Sequence, residues 1–505
     1  MLFAFWSLIP LMVLFVGVDG GLSVSSDRGL FTGSDGLQTD DHLQYLAWVR
    51  DAGEHGLYSN RFDVVLDPRL FLHPMLALSG LLWKLGVSVQ LAYLAWKPVA
   101  VVLLFAGFAA YIHRMIGPDR GARAAALALA LFFLTPAAAL VDWLDLGDIG
   151  FQFSTLVIGL EAFAGGYPWG GYTGTVAIAM VPIFLLAAER MLDPSRRAGR
   201  SARAYALAAG VAGMFASWLH PWQGLTLLGI VAGLVAWGRF DRRYLALAVP
   251  VAMTAAPLVY LFVLSHTDSA FATVAQPNDS SHFGLWLLLA LAPAALALTG
   301  VRRPGADLGE RMLLLWPVAA LAVYFSLQQS WFYHAFGGLS LPLAVLAVRG
   351  WRSVGLPRAV AVAAVVAATL FGMIFAVSKF RETSDDHFLP ESEARALDYL
   401  EDAPRDGPVL AVQRLGIAVP AFTGRQTWVG HYYWTPGYDD RRVRADDLFG
   451  GRLDPAGARA LVLESRAAFV LARCEGSADL RPLLGDLVRD VRRFGCATVY
   501  EVGPA

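Results

Sequence analysis

Between residues 90 and 377 the chain alternates apolar runs with short loops, and every second loop is rich in arginine. Apolar runs of about 17–25 residues are long enough to cross a bilayer as helices. They fall at 2–18, 90–113, 124–141, 172–189, 203–219, 222–238, 244–264, 283–300, 312–328, 333–348 and 359–377. Arg114, Arg120 and Arg123 follow the second run, and Arg190, Arg196, Arg197, Arg200 and Arg203 follow the fourth. Arg239, Arg242 and Arg243, then Arg302, Arg303 and Arg311, then Arg349, Arg352 and Arg358 follow the sixth, eighth and tenth. By contrast, the connections Val141 to Gly171 and Ser265 to Ser281 hold no Lys or Arg but several Asp or Glu. Basic loops stay in the cytoplasm. The pattern therefore predicts an α-helical polytopic membrane protein of about eleven transmembrane helices in the plasma membrane. Its N-terminus is cytoplasmic, and residues 19–89 and everything after Val377 are outside. The charged fraction, 16%, is well below the quarter usual in soluble proteins and fits this class. A net charge of −1 gives no electrostatic reason to expect a nucleic-acid partner.

Met1 to Val18 lacks a basic start and a small-x-small cleavage site, so it reads as a retained span. The first outer loop opens on Thr39-Asp40-Asp41-His42-Leu43-Gln44-Tyr45-Leu46-Ala47-Trp48-Val49-Arg50-Asp51. Leu43, Leu46 and Ala47 recur at helical spacing, with Gln44, Arg50, Asp51 and Glu54 on a polar side. Thr39 or Asp40 is placed to cap that helix. One reading is therefore a capped amphipathic helix on the membrane surface; the other is a catalytic carboxylate at the water–lipid boundary. Further on, Met75 to Leu85 predicts an interfacial helix, and Phe151 to Leu160 a partial or re-entrant one before the turn Gly165 to Gly171.

Residues 1–378 thus form the transmembrane domain, and 390–505 change in character to a small extracytoplasmic α/β domain. Glu391 to Glu401 reads as a helix, Pro408 to Gln413 and Ala467 to Ala472 as strands, Leu480 to Arg493 as largely helical, and Ala497 to Val502 as a closing strand. Cys474 and Cys496 both lie here, as a disulfide or as two buried thiols.

The layout resembles the GT-C superfamily of membrane glycosyltransferases: a first span, a long outer loop opening on Asp40-Asp41, about ten further spans and an outer C-terminal domain. The Thr39–Arg50 string is similar to the acidic first-loop motif of bacterial members. Leu219-His220-Pro221-Trp222 and Thr423-Gly424-Arg425 with Gly430-His431 are similar to stretches of actinobacterial ones. The resemblance implies a hexosyl- or pentosyltransferase that takes a sugar from a polyprenyl-phosphate donor, with inversion, at the outer face of the plasma membrane. It passes the sugar to a cell-envelope glycan, lipid or protein. The first loop has no Asp-x-Asp and the chain no Trp-Trp-Asp, so neither a metal nor a cofactor is expected.

Glycosyl transfer needs a base for the acceptor hydroxyl. Asp40 and Asp41 are the candidates; two adjacent carboxylates repel, which raises one pKa. The departing phosphate needs a cation, for which Lys97, Lys84, Lys379 and Arg381 are available. Lys97, inside Trp96-Lys97-Pro98, is either a phosphate contact or a snorkelling side chain; Lys379 and Arg381 read first as anchors. His220 at a span end lines a site or serves as a structural hydrogen bonder. Glu161, with Asp145 and Asp148, forms a second acidic group, and Gln328, Gln329, Trp331, Tyr333 and His334 suit either sugar binding or an interfacial belt. Arg425 and His431 either cover the cavity or belong to their own domain's loops. A lipid or polysaccharide transporter, or a catalytically silent scaffold of envelope assembly, is the rival to the enzyme.

Overall fold

The computed structural model describes residues 1–16, 29–65, 67–147, 149–193, 200–276, 294–301, 307–327, 330–355 and 357–503. The chain forms two compact units. The first comprises Met1–Ile9, Lys97–Val263 and Gln276–Arg381, and the second Pro10–Trp96, Leu264–Ala275 and Glu382–Ala505.

Among the described residues, seven helical segments are long and apolar enough to cross a membrane: Val89–Ile116, Arg120–Trp143, Tyr172–Leu192, Arg242–Thr267, Leu308–Ser326, Phe332–Ser353 and Arg358–Glu382. Leu2–Phe15 and Pro221–Trp237 are shorter apolar helices, and the expected run 203–219 forms the helix Arg200–Leu219. Most of the expected run 283–300 lies outside the described residues. The run 124–141 is interrupted, with helices Arg120–Phe132 and Pro136–Trp143 on either side of a break. Pro136 disfavours helical geometry in the residue before it, and Thr135 takes the cap position, its hydroxyl accepting from the Ala137 N–H at 3.3 Å.

In the first unit, Tyr172–Leu192 is the most enclosed of these helices after Phe332–Ser353. Several charges in it are paired. Arg349 meets Glu310 at 2.8 Å, Arg114 meets Glu189 at 2.5 Å and Asp307 at 3.1 Å, and Lys379 meets Asp142 at 2.7 Å. The turn after the expected partial helix, observed as Ile149–Ala162, is tied to the first helix. The Trp6 indole donates to the Gly165 carbonyl at 2.7 Å and stacks on Trp169 at 4.5 Å, while the Trp169 indole donates back to the Trp6 carbonyl.

The second unit joins the first loop to the C-terminal region. Strand β1 (Leu30–Phe31) pairs antiparallel with β2 (Phe388–Leu389), Leu30 opposite Leu389. Then β3 (Val409–Ala411), β4 (Phe469–Ala472), β5 (Val488–Phe494) and β6 (Ala497–Val502) form a sheet in the order β3-β4-β6-β5. Only β3 and β4 are parallel. Both are wholly buried, as expected of strands covered on two faces. Cys474 and Cys496 form a disulfide with a Cα separation of 4.6 Å.

The helical expectation for Leu480 to Arg493 is corrected. One turn, Arg481–Leu484, ends at Gly485 with φ of 53°, and β5 follows. Val488, Val491 and Phe494 sit at a spacing of three, which resembles helical periodicity. In the structure these residues lie on an edge strand with a β-bulge between Val488 and Asp490, held by pairing to β6.

A second correction concerns the helix Thr39–His55, which is not a surface helix. Its supposedly polar side is enclosed, with Gln44, Arg50 and Asp51 buried alongside Leu43, Leu46 and Ala47. It packs against helices Pro74–Lys84 and Gln413–Thr423. Where it meets the former, Gly53 and Gly80 touch backbone to backbone: a Cβ on Gly80 would lie 2.6 Å from the Gly53 nitrogen. Arg50 donates to Glu401 at 2.5 Å and to the Phe422 carbonyl at 2.8 Å. Asp51, 4% exposed, accepts from the Ser59 N–H at 2.9 Å, from its hydroxyl and from Arg69 at 3.1 Å. Removing one partner of a buried charge pair costs about 3–5 kcal/mol. Asp51→Ala should therefore lower the melting temperature of the purified protein by many degrees; an unchanged melting temperature would refute this account of the helix.

Candidate functional site

The first turn of the helix Thr39–His55 carries both Asp40 and Asp41. The expected capping role is corrected here. Gln38 occupies the cap position and no side chain caps the helix, so neither carboxylate does that job. Both instead bond to the C-terminal region of their own unit. The Gln413 amide donates to Asp40 Oδ2 at 2.9 Å, and His431 Nε2 lies 3.0 Å from Asp41 Oδ1. The Tyr433 N–H donates to His431 Nδ1 at 3.2 Å. That bond leaves the imidazole proton on Nε2, so His431 donates to Asp41.

His431 is 1% exposed and sits in a tight loop. Its carbonyl accepts from the N–H groups of Trp434 and Thr435, and Asn60 donates to the Trp434 carbonyl at 2.8 Å. Its ring stacks on Tyr432 at 4.5 Å with 19° between planes, and Tyr432 meets Tyr433 at 4.4 Å. Burial lifts the Asp40 carboxyl above its ordinary value; His431 and Gln413 pull it down, while Asp41 and Asp386 push it further up. Burial likewise pushes the Tyr433 phenol up to about 12, so it stays a hydrogen-bond donor at neutral pH.

The other candidates separate. Arg425 donates to the carbonyls of Leu400 at 2.6 Å, Ala403 at 2.8 Å and Arg405 at 2.8 Å. It therefore ties down the end of the helix Glu391–Asp402 and its following turn, and does not face Asp40 or Asp41. Lys84 is exposed in the last turn of Pro74–Lys84, where a cation suits the helix dipole. Asp148 lies outside the described residues, as do Gln328 and Gln329.

The remaining three lie in the first unit. Lys97 is buried, donates to the Pro168 carbonyl at 3.0 Å and sits 5.7 Å from the Tyr172 ring, so its ammonium holds the Gly-rich turn. Glu161 accepts from Tyr167 at 2.5 Å and from the Trp331 indole at 3.0 Å, with His334 Nδ1 at 2.9 Å. The His220 ring lies 4.5 Å from that of His334. In this cluster His220 Nδ1 and Gln223 Oε1 are buried with no protein partner. Sequence reading placed Glu161, His220 and the Trp331–His334 group at three separate places in the chain and missed Tyr167, Gln223 and Gln413. Only three-dimensional proximity marks those three.

The chain matches no family model and, by sequence, no curated protein. Its fold is similar to that of solved membrane enzymes. The archaeal oligosaccharyltransferase AglB from Archaeoglobus fulgidus, in complex with an inhibitory peptide and a dolichol-phosphate, aligns with TM-score 0.54 and 13% identity over 94% of this chain and 69% of its own. ArnT from Cupriavidus metallidurans, bound to undecaprenyl phosphate, aligns with TM-score 0.53 and 14% identity over 99% of both chains. The arabinofuranosyltransferase AftD from Mycobacteria aligns with TM-score 0.51 and 14% identity over all of this chain and 40% of its own. The chain therefore shares its fold with these solved proteins, in keeping with the polytopic α-helical architecture of its apolar helices.

Asp40 should cost stability at neutral pH. A carboxyl whose folded pKa is raised destabilises the fold above that pKa and ceases to do so below its unfolded value. Asp40→Asn keeps an oxygen for Gln413 and removes the charge. It should melt at or above the wild-type temperature at neutral pH, with the gap closing as pH falls through the carboxylate range. A variant that melts well below wild type at neutral pH would show instead that the charge is structural.

Proposed function

We propose that this protein is a glycosyltransferase that moves a sugar from a polyprenyl-phosphate donor to a hydroxyl-bearing acceptor, with Asp40 as general base. The observation that carries the reading is the uncapped pair Asp40-Asp41, held by Gln413 and His431, in a chain with the GT-C fold. The solved structures with dolichol-phosphate and undecaprenyl phosphate support a donor of this class.

Asp40 takes the acceptor hydroxyl proton as the oxygen attacks the anomeric carbon. The bond from that carbon to the phosphate oxygen breaks, and polyprenyl phosphate leaves with the electron pair. Attack opposite the leaving group inverts the anomeric centre. A base works best when its pKa is drawn toward the working pH, and burial moves Asp40 in that direction. Asp41, oriented by its bond to His431 Nε2, keeps its second oxygen for positioning the acceptor. Lys97, already spent on the Pro168 carbonyl, is not assigned to the departing phosphate. Proton acceptance needs a carboxylate alone, so the base step is written without a metal or cofactor. The reaction is assigned to the outer face of the plasma membrane, where the loop charges place residues 19–89 and the C-terminal region.

The test is transfer from labelled polyprenyl-phosphate sugars to native envelope acceptors by the full chain in lipid nanodiscs. Asp40→Asn should slow transfer by roughly a hundredfold or more, and Asp41→Asn should chiefly raise the acceptor KM. If wild type moves no sugar from any such donor, the reading fails. If Asp40→Asn transfers at the wild-type rate, the base assignment fails.

A further inference from the structure

The second unit holds a feature that the chemistry at Asp40 leaves unused. Beside the Asp41–His431 pair is an open pocket of about 460 Å³ lined by Tyr432, Tyr433, Gly437, Tyr438, Asp439 and Asp440. Its aromatic wall is a run of touching rings: His431 stacked on Tyr432 at 4.5 Å, Tyr433 tilted against Tyr432 at 4.4 Å, and Tyr438 edge-on to Tyr432 at 6.4 Å. Tyr432 is 39% exposed, a large aromatic surface to leave open to water. Gly437, with φ of 60°, opens the floor, since a Cβ there would meet nothing within 4 Å. Among the described residues, none of the three phenol oxygens is bonded to a protein group. The rim carries Asp439 and Asp440; the Asp440 side chain is 72% exposed and lies 3.4 Å from the Arg444 guanidinium.

From this pocket we infer an acceptor-binding subsite for a neutral oligosaccharide, running along Tyr432, Tyr433 and Tyr438 toward Asp41. The apolar C–H face of a sugar ring packs on an aromatic ring, and its hydroxyls bond to phenols and carboxylates. Asp439 and Asp440 repel phosphate and uronate, which selects an uncharged chain. The pocket's size fits a small ligand and falls far short of the area a stable protein interface needs. It is also far roomier than a lone ammonium group requires, and its tyrosines lie against one another in a row where a cation cage would ring a centre. The inference rests on the proposed function only in directing the sugar toward Asp41; the binding itself does not depend on it.

The experiment uses the full chain in nanodiscs on an array of short neutral hexose and pentose oligosaccharides, their phosphorylated and uronate counterparts, and choline. Wild type should retain neutral glycans and reject the anionic ones. Tyr432→Ala and Tyr438→Ala should each weaken retention by about tenfold, the worth of one lost aromatic face. Tyr432→Phe, which keeps the ring face and loses one hydroxyl, should weaken retention less than Tyr432→Ala. The double variant Asp439→Asn, Asp440→Asn should admit anionic glycans. Retention of no neutral glycan at millimolar concentration, preference for choline, or equal retention by wild type and both alanine variants would each overturn the inference. If glycans bind through the tyrosines but no donor yields transfer, the subsite stands and the proposed function falls. If transfer proceeds with an acceptor KM unchanged in both alanine variants, the proposed function stands and the subsite falls.

Discussion

A charge taken out of water must find its opposite or its hydrogen bonds nearby, or the fold around it does not hold. The second unit is built on that requirement. Arg50 and Asp51 lie within one helix and are both enclosed, so Glu401, the Phe422 carbonyl, Ser59 and Arg69 must all be brought to them. Those partners come from the first loop and from the C-terminal region alike. Satisfying two adjacent side chains therefore fixes the loop after the helix and the helices Glu391–Asp402 and Gln413–Thr423 around it. The glycine contact between Gly53 and Gly80 sets how closely the neighbouring helix approaches. With the helix positioned this tightly, the carboxylates of its first turn have little freedom of direction.

That rigidity bears on chemistry. A base has to wait in the right place with its lone pair free, and a cap residue cannot do both jobs. Leaving the cap position to Gln38 gives up a small local stabilisation. The buried, charge-crowded Asp40 gives up more. Sites where folding economy is set aside in this way are where function tends to lie.

Much of the architecture could be read from the residues. Apolar run lengths, the arginine alternation and the Asp40-Asp41 loop pointed to a polytopic GT-C-like chain, and the fold agrees. The misses have physical causes. Amphipathic spacing in Thr39–His55 looked like a surface helix because periodicity reports which side chains share a face and says nothing about whether the polar face finds partners. Leu480 to Arg493 read as largely helical because the pairing to β6 that makes its second half a strand leaves no mark in the local sequence. Arg425 looked available because a guanidinium's five donors carry no mark of the carbonyls they meet. Gln413, Tyr167 and Gln223 were invisible because a polar residue acquires its role from neighbours far away in the chain.

The separation between Asp41 and His431, 390 residues, has a consequence for how the molecule comes into being. The pair Thr32 and His387, 355 residues apart, is of the same kind. Contacts this distant cannot form until nearly the whole polypeptide has been made, and closing such loops is slow. The helix bearing Asp40 is synthesised early and must stay unassembled, its charged residues without their partners, while the rest of the chain is produced. Only the arrival of the C-terminal region completes it. A ribosome that stalls late thus leaves behind a chain with its membrane helices made and no assembled carboxylate site.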